Sequence, residues 1–508
     1  MGDLAGVIGR LDHLNDGTER SLGVDAIWLS PFYPSPMADF GYDVSDYTGV
    51  DELFGSLADV DRLVAEAHRR GIRVVIDWVP NHTSDRHPWF LDSRSSRRSP
   101  KRGWYVWRDP APGGGPPNDW RSSFRRPGRA WTFDAPTGQW YLHSFLPEQP
   151  DLDWDNAEVR AAMHDTLRFW LERGIDGFRI DVVHKLGKDP ELRDNGGRGA
   201  GERPRDRDWP SGHERLREIR RVLEEYEGRM AVGEVYLLDQ ERLAEYLNSG
   251  DELHLAHNFV FLRQPWDAGA FRRVIDEFER LTSSDVWPAW CLSNHDHSRV
   301  ATRYDDGAGR GAARARVAAM MVLTLRGTAF LYQGEELGLP DAAIPPERAV
   351  DVDGRDPERA PIPWRPPSAA GPGAGFTAGR PWLPIVAEAE TLNVEAESGD
   401  PRSTLALYRR LIWLRRRSPA LCAGGQRSAA LGEGVLAYVR QLDEERLLVA
   451  LNFTPRPRAL GAGEAGLTGT ARLALSTDPD RRPGEPVDLA RLRLDADEGV
   501  VLRLPASA

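Results

Sequence analysis

Three carboxylates stand at the ends of apolar runs that read as β-strands. Asp181 closes Gly177-Phe178-Arg179-Ile180, Glu234 closes Met230-Ala231-Val232-Gly233, and Asp296 follows Trp290–Asn294. Asn81-His82 follows a fourth run that ends near Asp77, and His295 precedes Asp296. A single carboxylate after a buried strand ordinarily caps a helix or anchors a loop. Three of them with two histidines, all at C-terminal strand ends, point to one shared site, because parallel barrels place their chemistry on that face. No cysteine–histidine cluster accompanies them, so the pattern points to acid–base or nucleophilic work on an acetal. Glycoside cleavage needs one carboxyl to protonate the leaving oxygen and a second to attack the anomeric carbon. A third supports the cationic transition state. Arg179 lies two residues before Asp181, on the same strand face, and is expected to hold that carboxylate ionised.

The elements that must position these residues alternate. Ile72–Asp77 follows a helical pattern over 57–70 that ends at Gly71, Gly177–Asp181 one over 157–173, and Met230–Glu234 one over 213–227. Asp25–Pro31, His254–Phe261, Trp290–Asn294 and Thr328–Tyr332 supply further strand-like runs, and Leu4, Val7, Ile8, Leu11 and Leu14 mark an amphipathic helix at the start. Short apolar strands between helices predict a parallel sheet buried on both faces, and their number favours a TIM barrel over an open sheet. Residues 82–150 lack a helix period and predict an inserted small domain. From 420 to 508 strand-like runs without a long helix predict a C-terminal antiparallel β-sandwich. The barrel then comprises 1–81 and 151–419. Gly187–Gly212 and Pro366–Gly379 read as surface loops, and Arg94, Arg97, Arg98, Lys101 and Arg102 as a solvated basic cluster.

Composition narrows the function classes. Against 66 Lys and Arg stand 78 Asp and Glu, a formal charge of −12, which disfavours nucleic acid as a partner. No apolar run approaches the ~18 residues of a membrane span, and no GxGxxG or P-loop opens a unit. Two cysteines, Cys291 and Cys422, fit a reducing compartment. With no signal-like start, a cytoplasmic location is expected. The 17 tryptophans read mainly as core, with several in the insertion where it would overhang a sugar.

At the strand ends the sequence resembles the α-amylase family of glycoside hydrolases. Asp77-Trp78-Val79-Pro80-Asn81-His82, Gly177–Asp181, Val232-Gly233-Glu234-Val235 and Leu292-Ser293-Asn294-His295-Asp296 match its four strand-end regions in order. Gln149-Pro150-Asp151-Leu152-Asp153-Trp154 resembles the further motif of the oligo-1,6-glucosidase and α-glucosidase branch. The resemblance implies a (β/α)8 barrel with Asp181 as nucleophile, Glu234 as general acid/base and Asp296 as transition-state stabiliser. It implies that Tyr42, Asp43, His82, Arg179 and His295 bind the glucosyl unit and that Phe145 stacks on it. Asp39 and Arg355 match the pair that closes the pocket beyond the non-reducing sugar, which implies exo action. Val182, after the nucleophile, resembles members that prefer α-1,6 bonds over α-1,4, and a single such contact is worth only ~1–3 kcal/mol. His184 departs from the asparagine common in oligo-1,6-glucosidases.

In the family a first strand and an Asp/Asn-rich metal loop precede a triplet resembling Gly2-Asp3-Leu4. This chain is therefore expected to lack that strand and most of the loop, through a misassigned start or an incomplete coding sequence. Asp3 is left as the only remnant of a possible Ca2+ or Mg2+ site, and an open barrel would carry two unpaired edges. No cofactor is required by the expected chemistry. The expected function is a retaining exo-α-glucosidase acting on short α-1,6- or α-1,4-glucosides, as a monomer or weak homo-oligomer. A transglucosylase or isomerase of the same family is the alternative. A third reading is an inactive member used as a binding protein, although such members usually lose one of the three carboxylates retained here.

Overall fold

The computed structural model describes residues 2–124, 128–196, 202–463 and 465–505. The catalytic face rests on short parallel strands: β1 (Ala26–Leu29) and β2 (Arg73–Trp78) precede the insertion. Within the insertion lie β3 (Trp107–Arg108), β4 (Trp131–Asp134) and β5 (Gln139–Leu142). The barrel resumes with β6 (Gly177–Ile180), β7 (Met230–Gly233), β8 (Leu255–Ala256), β9 (Ala289–Trp290) and β10 (Thr328–Ala329). The ladder runs β1-β2-β6-β7-β8, all parallel, and a parallel bridge from His257 to Ala289 carries it on to β9 and β10. Among the described residues no ladder joins β10 to β1.

Local chemistry sets these elements. The helix Leu57–Arg69 opens on a capping box between Ser56 and Asp59, and Gly71, at φ +69°, takes the left-handed turn that leads into β2. Asn156 caps the helix Ala157–Glu172, and Pro210 occupies the first turn of Pro210–Glu224. β6 is buried throughout, and at Gly177 a Cβ would lie 2.4 Å from the Met230 carbonyl, so only glycine lets β6 and β7 close up.

Several expectations shift by a turn. The opening helix is broken into Leu4–Ile8 and Leu11–Leu14. The expected strand His254–Phe261 is strand only at Leu255–Ala256. Asn258 then accepts the Phe261 amide and starts a short helix, Phe259–Leu262. Part of the predicted loop 187–212 lies outside the described residues.

The insertion is a three-stranded antiparallel sheet, ordered β3-β5-β4, pinned at its root by bridges from His82 to Asp151 and from Tyr105 to Leu152. Its tryptophans Trp120 and Trp131 are buried in its own small core, while Trp104 and Trp107 pack into the main core. The basic cluster is likewise not wholly solvated: Lys101 covers the Trp104 ring at 3.2 Å and Arg102 the Trp107 ring at 3.5 Å.

The C-terminal strands are β11 (Gly425–Ala429), β12 (Val435–Leu442), β13 (Glu445–Asn452), β14 (Arg458–Ala459), β15 (Thr470–Ser476), β16 (Pro486–Asp488), β17 (Arg493–Leu494) and β18 (Gly499–Arg503). Six form an antiparallel sheet, β11-β12-β13-β18-β15-β16, and β14 pairs with β17. Period-two alternation divides β12. Val435, Ala437 and Val439 face the small core with Leu460, Leu492 and Leu494, while Leu436 and Tyr438 pack with the barrel core.

Candidate active site

Register brings the first charges together. Asp77 of β2 is paired with Arg179 of β6, and Arg179 with Val232 of β7, one position before Gly233 and two before Glu234. The buried Arg179 guanidinium donates through Nη1 to Asp77 Oδ1 (2.8 Å) and Asp181 Oδ1 (2.6 Å), and through Nη2 to Glu234 Oε2 (2.5 Å). One planar group thus bridges both expected catalytic carboxyls. The contact expected between Arg179 and Asp181 is present, but its electrostatic consequence differs. Burial, with the charges of Glu234 and Asp77, pushes Asp181 well above the usual aspartate range despite the pull of Arg179. The site therefore retains a proton to higher pH than an isolated aspartate would.

The chain leaves β6 under strain. Val182 sits at φ +37°, a conformation that costs a β-branched residue ~1–3 kcal/mol, and its amide points to Glu234 Oε2 at 3.3 Å. Val183 donates to the Glu234 carbonyl at 3.2 Å. The kink thereby ties the segment carrying Asp181 to the segment carrying Glu234. Val182 itself is buried.

Asp296 approaches from the segment after β9. Its Oδ1 accepts from Arg355 Nη1 (3.0 Å) and Arg359 Nη2 (3.1 Å), and His295 Nε2 lies 3.3 Å from its Oδ2. Burial opposes ionisation, but His295 and the Arg355, Arg359 and Arg179 guanidinium groups outweigh it and hold Asp296 well below the usual range. Arg355 also donates to Asp39 Oδ1 at 2.7 Å, and Gln149 donates to Asp39 Oδ2 at 3.0 Å. Asp39 joins the loop after β1 to the loop after β10 in this way. Burial raises its pKa to about 6, with Arg355 and Gln149 acting against the rise.

Around these carboxylates the Tyr42 hydroxyl donates to Asp77 Oδ2 at 2.9 Å, stands 2.8 Å from His295 Nε2, and the two rings stack at 10°. His295 is held neutral, its pKa lowered to about 3 mainly by burial. His82 is buried, with Nε2 3.1 Å from the Tyr42 carbonyl, so it positions Tyr42. Phe145 is half-buried between the rings of His82 and Phe124. Asp43, expected to bind the sugar, is turned toward its own loop. Its buried carboxylate accepts from Ser35, Ala38 and Asp39, all at 2.9 Å, and so shapes the loop that presents Asp39. His184 is buried with Nδ1 3.3 Å from the Glu234 carbonyl.

A cation of the chain itself fastens the insertion. Lys188 Nζ meets Lys185 O at 2.7 Å, Asn81 Oδ1 at 2.9 Å and Asp151 Oδ2 at 3.0 Å, joining the ends of β2 and β6 to the root of the insertion. Burial works against the Asp151 charge, yet Lys188 and Ser144 hold it below the usual range. At the other proposed cation position the residues do not fit a metal. Asp3 is exposed and its Oδ1 caps the first helix through the Gly6 amide, and among the described residues no three His, Cys, Asp or Glu side chains converge as a metal site. Sequence reasoning missed Arg359, Asp77, Gln149, Phe124 and Lys188 as site residues. Asp77 and Gln149 lay inside recognised motifs, and Arg359 stands four residues beyond Arg355.

Residues 1–424 match the family model described as alpha amylase, catalytic domain. A probable alpha-glucosidase of Rhizobium meliloti (strain 1021) is 40% identical over 89% of this chain and 85% of its own length. The oligo-1,6-glucosidase of Parageobacillus thermoglucosidasius is 34% identical over 99% and 95%. Among solved structures, the alpha-glucosyl transfer enzyme XgtA superposes with a TM-score of 0.88 at 38% identity, covering 99% of this chain and 95% of that one.

Proposed function

The chain belongs to the α-amylase family of glycoside hydrolases, and from that premise we propose that it is a retaining exo-α-glucosidase of short α-glucosides. The observation that carries this reading is the single guanidinium of Arg179 touching both Asp181 and Glu234. Carboxyls so close suit the ~5–5.5 Å geometry of retention, because inversion needs a further ~1–4 Å for a water between them. In the productive state the proton sits on Glu234 and Asp181 is ionised. Glu234 gives that proton to the glycosidic oxygen as Asp181 bonds to the anomeric carbon and the aglycone leaves. Glu234, now a base, takes a proton from water, whose oxygen displaces Asp181 and releases glucose with its configuration kept. Asp296, held ionised opposite, stabilises the positive charge in both steps.

The pair of Asp39 and Arg355 supports exo action, since it blocks the pocket beyond the terminal sugar. The proposed chemistry calls for no cofactor, and the two free cysteines support a reducing compartment such as the cytoplasm as its setting. Linkage choice falls on the aglycone side, where Val182 favours α-1,6 bonds. A second reading, transfer of the glucosyl unit to a sugar hydroxyl, is favoured by the likeness to the glucosyl transfer enzyme. Incubation with isomaltose and maltose at high concentration decides between them. Net release of α-glucose is expected, whereas new disaccharides in excess of glucose would establish transfer, and β-glucose as first product would overturn retention.

A further inference from the structure

Two arginines reach the same carboxylate oxygen of Asp296, and they are built differently. Arg355 divides its guanidinium among three acids: Asp39, Asp351 and Asp296. Arg359 instead brackets one short stretch of chain. Its Nε donates to the His295 carbonyl at 2.7 Å and its Nη2 to Asp296 Oδ1 at 3.1 Å, so a single rigid plane grips the main chain before Asp296 and the side chain itself. Its remaining Nη1 lies 3.6 Å from Asp351 Oδ1. Asp296 needs such a bracket. Its amide is taken up by Asn294 Oδ1 at 3.0 Å in a tight turn, and its side chain, 24% exposed, leans into the cleft. Against the other carboxylate oxygen stands the neutral His295 ring.

We propose that Arg359 is the positioning residue that holds the Asp296 carboxylate in its working orientation, a task separate from pocket closure by Arg355. The inference rests on Asp296 acting as the stabilising carboxylate. A glucosyl unit entering the pocket competes for Arg355, whose partners line the closed end. Arg359 makes no bond to Asp39 and keeps its hold while the sugar binds. The charged and titratable groups that face Asp296 include His295, His297, Tyr42 and Glu358 besides the Arg179, Arg355 and Arg359 guanidiniums, so removal of Arg359 withdraws one of three cations and raises the pH at which Asp296 ionises.

The test is steady-state kinetics of R359Q, R359K, R355Q, D296N and R359Q/D296N on p-nitrophenyl α-glucoside between pH 4 and 8, with circular dichroism as the check of folding. A misplaced stabiliser costs about 100-fold in rate. R359Q should lose about that in kcat with KM within ~3-fold, whereas R355Q should mainly raise KM. R359K, which keeps the charge but not the plane, should recover part of kcat. In the D296N background R359Q should cost nothing further. A kcat within ~3-fold of wild type, or a full additional loss in the double variant, would overturn the proposal. If R359Q does not fold, R359K decides: a kcat lowered at least ~3-fold with KM near wild type is expected, and a wild-type kcat would overturn the proposal. Wild-type kcat in D296N would refute the underlying assignment of Asp296 instead.

Discussion

Replacing Lys188 by methionine keeps the length of the side chain and removes its charge. Asp151, whose side chain is fully buried, would keep its bonds from Ser144 Oγ (2.6 Å), the Ser144 amide (2.7 Å) and Asn81 Nδ2 (3.1 Å), but no cation would remain within contact. Breaking one partner of a buried ion pair costs ~3–5 kcal/mol. At ~2 °C per kcal/mol for a long chain, that corresponds to a fall in Tm of roughly 5–10 °C. The pH dependence follows from the direction of the Asp151 shift. A carboxylate with a depressed folded pKa contributes stability above its unfolded value and loses it as pH falls through the folded value, so Lys188→Met should remove this acid-side term. Thermal unfolding of K188M, D151N and K188M/D151N at several pH values measures all of this. Because both substitutions delete the same pair, the double variant should be little worse than the worse single one. Additive losses, or a K188M midpoint within ~1 °C of wild type, would refute the ion-pair account. If Lys188 alone supplies the positive charge at this joint, dialysis against a chelator should leave the midpoint unchanged, and a fall would show that a metal contributes.

Glu234→Gln should lower kcat/KM for isomaltose by more than ~100-fold while retaining more activity on activated aryl glucosides, whose leaving groups need no proton; comparable losses on both would place the acid elsewhere. Asp181 is pushed upward by burial and its like-charged neighbours, so the acid limb of kcat/KM should lie above the ~3.9 of a free aspartate, and a limb at or below that value contradicts the shared proton. Asp39 has its pKa raised to about 6 and must be ionised to hold Arg355, so KM should fall as pH rises through that range. Asp39→Asn should flatten this dependence and raise KM, and an unchanged profile would show that the pair does not close the pocket.

The three strand-end carboxylates were legible because strand ends impose a fixed geometry: an apolar run buried on both faces can deliver its terminal residue to only one place. Asp77, Arg179 and Glu234 meet through parallel register, which follows once the strands are known. The loops were less legible. Nothing in the spacing of Ala38-Asp39-Phe40-Gly41-Tyr42-Asp43 says that Asp43 turns inward to its own loop while Asp39 turns to Arg355, because that choice depends on which amides are left unsatisfied. Lys188 was invisible for a related reason: its three oxygen partners come from three separate segments. The upward shift of Asp181 was missed because an adjacent arginine in sequence says nothing of burial, and burial dominates there.

If the chain acts as the exo-glucosidase proposed above, the bond between Asp39 and Arg355 makes the pocket a cul-de-sac with one mouth, and the following consequences hold. Glucose formed at its blind end can depart only after the aglycone has cleared the way, so release is ordered, sugar last. A chain cannot slide through to present its next link either. Every cleavage on a longer oligosaccharide must end in complete dissociation and a fresh encounter, and the turnover of such material should track the number of free chain ends in solution, not its mass.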